Sequence, residues 1–261
     1  MDVAPGRTLR VERQRETLRV VIDRPDRNNS INDTLMRDLH AALDEAEGDP
    51  TTRLVVIEGS GPVFCSGMDF GDAADSNRAD DGLAARGGQV FYGLLKRLAS
   101  LPRVVVSVVD GRVTGGGVGI AAASDFVYAS ARSSFALPEA LWGLLPCCVL
   151  PFLIRRTGFQ PAYAMTLSTL PVTAEHAARI HLVDEVMDDA RPALRRLASR
   201  LTKIDTSVVA DGKRYFEQLR QPAERHEQVA VTEFARLMSS PVVRGRIAGF
   251  AQNQLMPWEN R

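Results

Sequence analysis

Three short stretches hold residues able to do chemistry. The first is Phe64-Cys65-Ser66-Gly67-Met68-Asp69-Phe70, which follows an apolar run and the turn-forming Gly59-Ser60-Gly61-Pro62. A small-residue turn after a strand leaves backbone N–H groups unpaired and open to a ligand. The second is Asp110 to Gly119 (DGRVTGGGVG), with three consecutive glycines. Such a run lets the backbone approach a ligand with no side chain in the way. A helix starting there would aim its N–H groups and dipole at an anion or a developing oxyanion. The third is Leu137-Pro138-Glu139-Ala140, followed by Leu141-Trp142-Gly143-Leu144-Leu145-Pro146. It sets a lone carboxylate in an apolar run, where burial raises its pKa and suits it to proton transfer.

Each stretch also has a plain structural reading. Glycine triplets serve close helix–strand packing. This one lacks the Gly-Lys-Ser/Thr of a P-loop and the spacing of a dinucleotide fingerprint. Cys65 is a possible nucleophile or a small buried hydrophobe, and Pro138-Glu139 could simply open a helix. His40, His176, His181 and His226 are scattered without metal-ligand spacing, so no metal is expected.

These stretches sit in an alternating β and α layout. Leu18 to Asp23, Leu54 to Glu58, Val104 to Val109 and Phe126 to Ala129 read as strands. Between them Leu35, Leu39 and Leu43 recur every four residues in a helix from Asp33 to Gly48, and Val90, Leu94, Leu95 and Leu98 form a second helical stripe. Strands separated by helices predict an α/β protein with crossover connections. From Val149 to Gln254 the pattern is mostly helical, with Leu182 to Val186 as its one expected strand. Such a region must pack on the first half or on a neighbouring subunit. Gly71 to Gly82 (GDAADSNRADDG) reads as a polar surface loop, with a lid as the sharper reading.

Composition narrows the classes. The chain has 261 residues, 45% of them hydrophobic, and 32 cations balance 32 anions. A basic field for nucleic acid and a polybasic membrane anchor are both excluded. The longest apolar stretch, Leu144 to Ile154, has 11 residues and two prolines; a membrane-spanning helix needs about 18 or more. The start MDVAPGRTLRVERQRE has no apolar core, so no secretory signal is read there and a cytoplasmic protein is expected. Three cysteines without ligand spacing argue against a disulfide scaffold or a structural zinc. Only three of the 32 cations are Lys, namely Lys96, Lys203 and Lys213.

Taken together and in order, the three stretches resemble the crotonase, or enoyl-CoA hydratase/isomerase, superfamily from about Arg10 to the C-terminus. Asp23-Arg24-Pro25 through Asn29 and Asn32 is similar to the family's opening "NRP…NAL" segment. FCSGMDF is similar to its "F-C-A-G-x-D-L" turn, DGRVTGGGVGIAAASD to its glycine-triplet segment, and FALPEALWGLLP to its "F-x-x-P-E-x-x-x-G-x-x-P" segment. The resemblance implies a spiral of ββα repeats over residues 1–200 and a C-terminal helical region over 201–261. That region would cover the site and assemble trimers or dimers of trimers. It implies an oxyanion hole for a thioester carbonyl, made by the N–H groups of Met68 and Gly116, beside Gly67. It implies Glu139 as acid/base. The family's hydratases carry a second carboxylate three residues after the middle glycine, where this chain has Gly119. Glu139 is therefore expected to act without that partner.

EALWGLLPCCVLPFLIRRTGFQPAYAMTLSTLPVTA, with Met68, resembles one branch, the dehydratases of polyketide β-branching cassettes. The implied reaction is dehydration of 3-hydroxy-3-methylglutaryl-acyl carrier protein to the 3-methylglutaconyl form. No cofactor is implied beyond the phosphopantetheine of the carrier protein or of CoA. A Δ3,Δ2-enoyl thioester isomerase, which also uses one carboxylate, and a thioester decarboxylase are the alternatives. Phe70 and Trp142 are expected to line the acyl pocket, Arg27 to meet the phosphopantetheine end, and Arg86, Tyr92 or Lys96 to meet the distal carboxylate. The Arg excess leads us to expect an uneven surface, with Arg gathered at the tunnel mouth and acids elsewhere, the loop from Asp72 to Asp81 included.

Overall fold

Leu54-Val55-Val56-Ile57 and Val104-Val105-Val106 are apolar at every position because both faces of their sheet are covered. In the computed structural model, which describes residues 8–71, 82–219, 223–254 and 256 (82–85 and 223–226 in backbone only), they form the centre of a six-stranded sheet. Its order is β1 (Leu9–Gln14), β2 (Thr17–Ile22), β3 (Leu54–Gly59), β5 (Val104–Val109), β7 (Phe126–Ala129) and β10 (Glu185–Val186). The β1–β2 pair is antiparallel and the rest are parallel, with Leu54 opposite Val104 and Val106 opposite Phe126.

Each pass through the large sheet is followed by a short strand of a second sheet: β4 (Val63–Cys65), β6 (Arg112–Thr114) and β8 (Ser134–Ala136), closed by β9 (Val172–Thr173). A helix completes each turn. The helices are α1 (Asp33–Gly48), α2 (Gly82–Ser100) and α3 (Gly116–Ala123), then α4 (Leu150–Thr157), α5 (Phe159–Ser168) and α6 (Ala174–Arg179). The chain ends in α7 (Arg191–Leu201), α8 (Thr206–Gln218), α9 (Ala223–Met238) and α10 (Pro241–Asn253). This is the expected α/β spiral of ββα units. One face of the large sheet packs on α1, α2 and α3 through Leu35, Leu39, Leu94, Leu98 and Ile120. The other packs on Ala193, Ala198 and Leu201 of α7. The C-terminal helices rest on the spiral: α9 runs against α2, and α10 against the 3₁₀ turn Glu139–Trp142.

Two expectations about elements are corrected. The strand expected over Leu182 to Val186 shrinks to Glu185–Val186. Leu182 and Val183 are buried, but their N–H groups close the end of α6 by donating to Ala177 O, after His181 takes a positive φ of 63°. Their hydrophobicity reflects burial, not pairing. Val90, assigned to the core stripe of α2, is exposed and faces a cavity instead. The loop from Asp72 to Asp81 lies outside the described residues. Among the described residues no helix is long and apolar enough to cross a membrane.

Candidate active site

The turn after β4 is held from three sides. Ile31 N–H donates to Gly67 O (2.7 Å) and Asp69 N–H to Ile31 O (2.9 Å). Thr114 Oγ1 donates to Ser66 O (2.9 Å). In a parallel bridge of this kind the residue between the two bonds points its own N–H the other way. That residue is Met68, which lines the cavity and whose N–H donates to no acceptor among the described residues. Gly67 makes the turn possible. Its φ is +82°, and a Cβ there would lie 3.1 Å from both Gly116 N and Thr114 O.

A buried ion pair locks the next residue. Asp69 accepts from Ser30 Oγ (2.7 Å) and pairs with Arg24 Nη2 (3.2 Å), the two side chains being only 6% and 13% exposed. Asn29, fully buried, accepts from Arg24 N–H and donates to Ser60 O and Val63 O. The opening Asp23–Asn32 segment thus supports the Met68 turn.

The glycine triplet supplies the second donor. Gly115 caps α3 with φ +55° and donates its N–H to Ala136 O (3.0 Å). Gly116 is the first helical residue, so its N–H has no acceptor within the helix and none among the other described residues. A Cβ at Gly115 would lie 3.2 Å from Glu139 Oε1, which places the carboxylate directly against this peptide.

Glu139 opens the single 3₁₀ turn Glu139–Trp142, which Leu144 N–H closes onto Glu139 O (3.0 Å). One side of the residue faces the cavity, yet Oε2 is buried and meets no hydrogen-bond partner among the described residues. Burial pushes its pKa from 4.5 up to about 7, opposed only by its own backbone N–H. A carboxyl in that range can both take and return a proton near neutrality.

The cavity between these groups has a volume of about 810 Å³, within the range of small-molecule sites. Met68, Gly67, Gly116, Glu139, Phe70 and Trp142 all line it. Phe70 and Trp142 stack edge-on at 4.6 Å between ring centroids, and Phe250 of α10 packs on both. Three expected residues are not brought in. Tyr92 is buried on the core side of α2 against Phe152, 5.3 Å between centroids; its neighbour Phe91 lines the cavity instead. Arg27 is exposed at the end of the 3₁₀ turn Pro25–Arg27, near Gly71 but outside the lining. Lys96 is also outside, paired with Glu227 at 3.4 Å, whereas Arg86 and Arg37 do line the cavity.

Other expectations resolve with these. Burial raises the Cys65 thiol to about 12, which makes it a packing residue and not a nucleophile. Cys147 and Cys148, unassigned from sequence, line the cavity as thiols raised to about 11 and about 12 by burial. His40, His176 and His181 do not line it, and the His226 side chain lies outside the described residues. Among the described residues no three His, Cys, Asp or Glu converge as metal ligands. The expected gathering of Arg at the mouth is corrected. Arg37 and Arg86 are there, but Arg10, Arg13, Arg19, Arg97, Arg132, Arg156 and Arg191 are spread over the molecule in ion pairs. The Arg excess therefore gives no support to an anionic carrier at the mouth.

Position 119 is tight as well as lacking a carboxylate. A Cβ at Gly119 would lie 3.0 Å from Val149 Cγ2, 3.1 Å from Leu95 Cδ1 and 3.5 Å from Phe91 Cζ. The atoms around it are apolar. Among the described residues Asp33, Asp69 and Glu139 line the cavity, and Glu139 is the one set against the Gly115–Gly116 peptide.

Comparison with known proteins agrees with this geometry. The family described as enoyl-CoA hydratase/isomerase matches residues 12–261. The bacillaene synthase dehydratase PksH of Bacillus subtilis (strain 168) is 33% identical over 261 residues, covering all of both chains. The 1,2-epoxyphenylacetyl-CoA isomerase of Escherichia coli (strain K12) is 30% identical over 198 residues, 72% of this chain and 75% of its own. Among solved structures, a candidate polyketide biosynthesis enoyl-CoA hydratase (pksH) from Bacillus subtilis superposes with a TM-score of 0.88 at 32% identity, covering 96% of this chain and 99% of that one. By sequence along nearly its whole length, and by fold, the chain belongs to the enoyl-CoA hydratase/isomerase, or crotonase, family.

Proposed function

We propose that the chain dehydrates 3-hydroxy-3-methylglutaryl thioester, carried on an acyl carrier protein, to the 3-methylglutaconyl thioester of polyketide β-branching. One observation carries this reading: the buried carboxyl of Glu139 lies against the Gly115–Gly116 peptide and lines one cavity with the Met68 and Gly116 N–H donors, while apolar side chains crowd position 119. Full-length similarity to a bacillaene synthase dehydratase supports the same reaction class.

The thioester oxygen accepts from Met68 N–H and Gly116 N–H, which stabilises negative charge as it develops there. Glu139 carboxylate takes the α-proton, giving an enolate and a neutral Glu139. The enolate then re-forms the carbonyl and pushes out the β-hydroxyl, to which Glu139 returns the proton. The Cα–H and Cβ–O bonds break, a Cα–Cβ double bond forms, water leaves, and Glu139 is again a carboxylate. A tertiary hydroxyl leaves more readily than a secondary one, so one acid/base suffices. Arg86, on α2, and Arg37, on α1, line the cavity, and we assign them to the distal carboxylate and to the phosphopantetheine side.

An isomerase would use the same set, since moving a double bond also needs one proton carrier beside an oxyanion hole. Intact mass of the carrier-bound substrate separates the readings. The expected result is loss of one water with the wild type and none with Glu139→Gln. Loss of carbon dioxide, or turnover of a 3-enoyl thioester alone, would replace it.

A further inference from the structure

The wall beside the oxyanion donors carries apolar side chains, Ile31 and Phe91 meeting the Gly116 Cα. Phe91 is half-buried on α2, packed on the core, and lines the cavity. A Cβ at Gly116 would lie 3.1 Å from Phe91 Cζ and 2.9 Å from Ile31 Cδ1. At the preceding residue, a Cβ at Gly115 would lie 3.2 Å from Glu139 Oε1. The peptide that joins Gly115 to Gly116 carries the Gly116 N–H donor. It therefore has a carboxylate on one side and an aromatic ring tip on the other. Val149, which also lines the cavity, extends the apolar side beyond Phe91.

A thioester held by its carbonyl at this peptide presents its α and β carbons between a proton carrier and an apolar surface. If the β-carbon bears both a hydroxyl and a methyl, only one orientation satisfies both. The hydroxyl faces Glu139 and the methyl meets Phe91. The reverse orientation would press the hydroxyl on the ring, desolvated and without a partner. A β-carbon without the methyl leaves the ring facing a hydrogen and is held less firmly.

We propose that Phe91 selects acyl groups with a branched β-carbon, by receiving the branch and so turning the β-hydroxyl toward Glu139. This rests on the dehydration reading above. The test compares 3-hydroxy-3-methylglutaryl with 3-hydroxyglutaryl thioester on the same carrier protein, by intact mass over time. The wild type should favour the branched substrate by about tenfold or more, the usual scale for one methyl group in an apolar pocket. Phe91→Ala should bring the ratio within about threefold, while Phe91→Leu, still apolar and bulky, keeps most of it. Should Phe91→Ala fail to fold, Phe91→Thr carries the same expectation. A wild-type ratio retained in Phe91→Ala, with dehydration intact, overturns the role of Phe91 and leaves the dehydratase standing. If the wild type dehydrates neither substrate, the dehydration reading falls, and binding decides the role of Phe91. For the 3-methylglutaryl and glutaryl thioesters of pantetheine, which have no hydroxyl to lose, preference for the branched form that Phe91→Ala abolishes supports the branch pocket. Equal preference in both proteins rejects it.

Discussion

Glu139 is the residue whose environment can be read most directly in solution. Its carboxyl is raised from 4.5 to about 7 because burial disfavours the charged form. As the base, it must be ionised in the free enzyme. We therefore expect kcat/KM to rise about tenfold per pH unit between pH 5 and 6 and to level off above about 7; a profile flat down to pH 5 would contradict this. Stability should move the opposite way. Between 4.5 and about 7 the native state keeps a proton that the unfolded chain has already lost, so stability falls as pH rises through this window. A raised pKa of this size corresponds to roughly 3 kcal/mol. Glu139→Gln removes the penalty, so the variant should gain on the wild type as pH goes from 5 to 8, measured by urea unfolding at each pH. An equal gap at both ends would show that the carboxylate is not held in a disfavoured state. Glu139 was legible in the sequence, because a single carboxylate stands out within LPEALWGLLP. Met68 and Gly116 were not legible from their own types. Their chemistry is in backbone N–H groups, which any residue has, and only resemblance located them. Phe91 was missed in favour of Tyr92, because neighbours on a helix differ by about a quarter turn and an apolar stripe does not say which of two aromatics meets the cavity.

At the level of elements, the long strands and α1 showed themselves through continuous β-branched runs and a four-residue repeat. The strands β4, β6 and β8 did not, being three residues each, too short for any period to register. With β9 they form the second sheet, and two of them set the active-site turns: β4 leads to Met68 and β6 to Gly115. The support beneath the first turn is also tertiary. Asp69 follows Met68 directly, and its partner Arg24 comes from the segment after β2. Removing one member of a buried ion pair leaves the other charged without a partner. Asp69→Ala should therefore cost about 3 kcal/mol or more in urea unfolding and lower kcat by displacing the Met68 N–H. Arg24→Met combined with Asp69→Leu should recover much of the stability. An Asp69→Ala protein as stable and as active as the wild type would remove this pair from the support of the site.

At the scale of the whole molecule, charge balances in sum, 32 cations against 32 anions. Several Arg residues meet an acid of another element, such as Arg97 with Asp44 and Glu47, or Arg19 with Glu58. What stands out is apolar. Phe159, Tyr163 and Leu167, four residues apart, form an exposed stripe on α5, with Phe159 66% exposed and stacked on Tyr163, and Leu170 follows it. Val208, Tyr215 and Phe216 are exposed on α8. Faces of this size on a neutral chain favour self-association. We expect light scattering to give the mass of a trimer or of two trimers, and Tyr163→Glu with Leu167→Glu to reduce it. A monomer at micromolar concentration would contradict that expectation. The helical character of the second half was plain in the sequence, but not where it rests. Its contacts with α2 and with the Glu139 turn join residues far apart along the chain.

The central claim is that Glu139, with the Met68 and Gly116 N–H groups, removes water from a branched β-hydroxyacyl thioester. Its most direct test is the intact mass of 3-hydroxy-3-methylglutaryl-carrier protein after mixing with wild type and with Glu139→Gln. The wild type should convert it to the species lighter by one water, and the variant should leave it unchanged. Water loss that persists in Glu139→Gln, or a wild type that leaves the substrate intact, would contradict the claim.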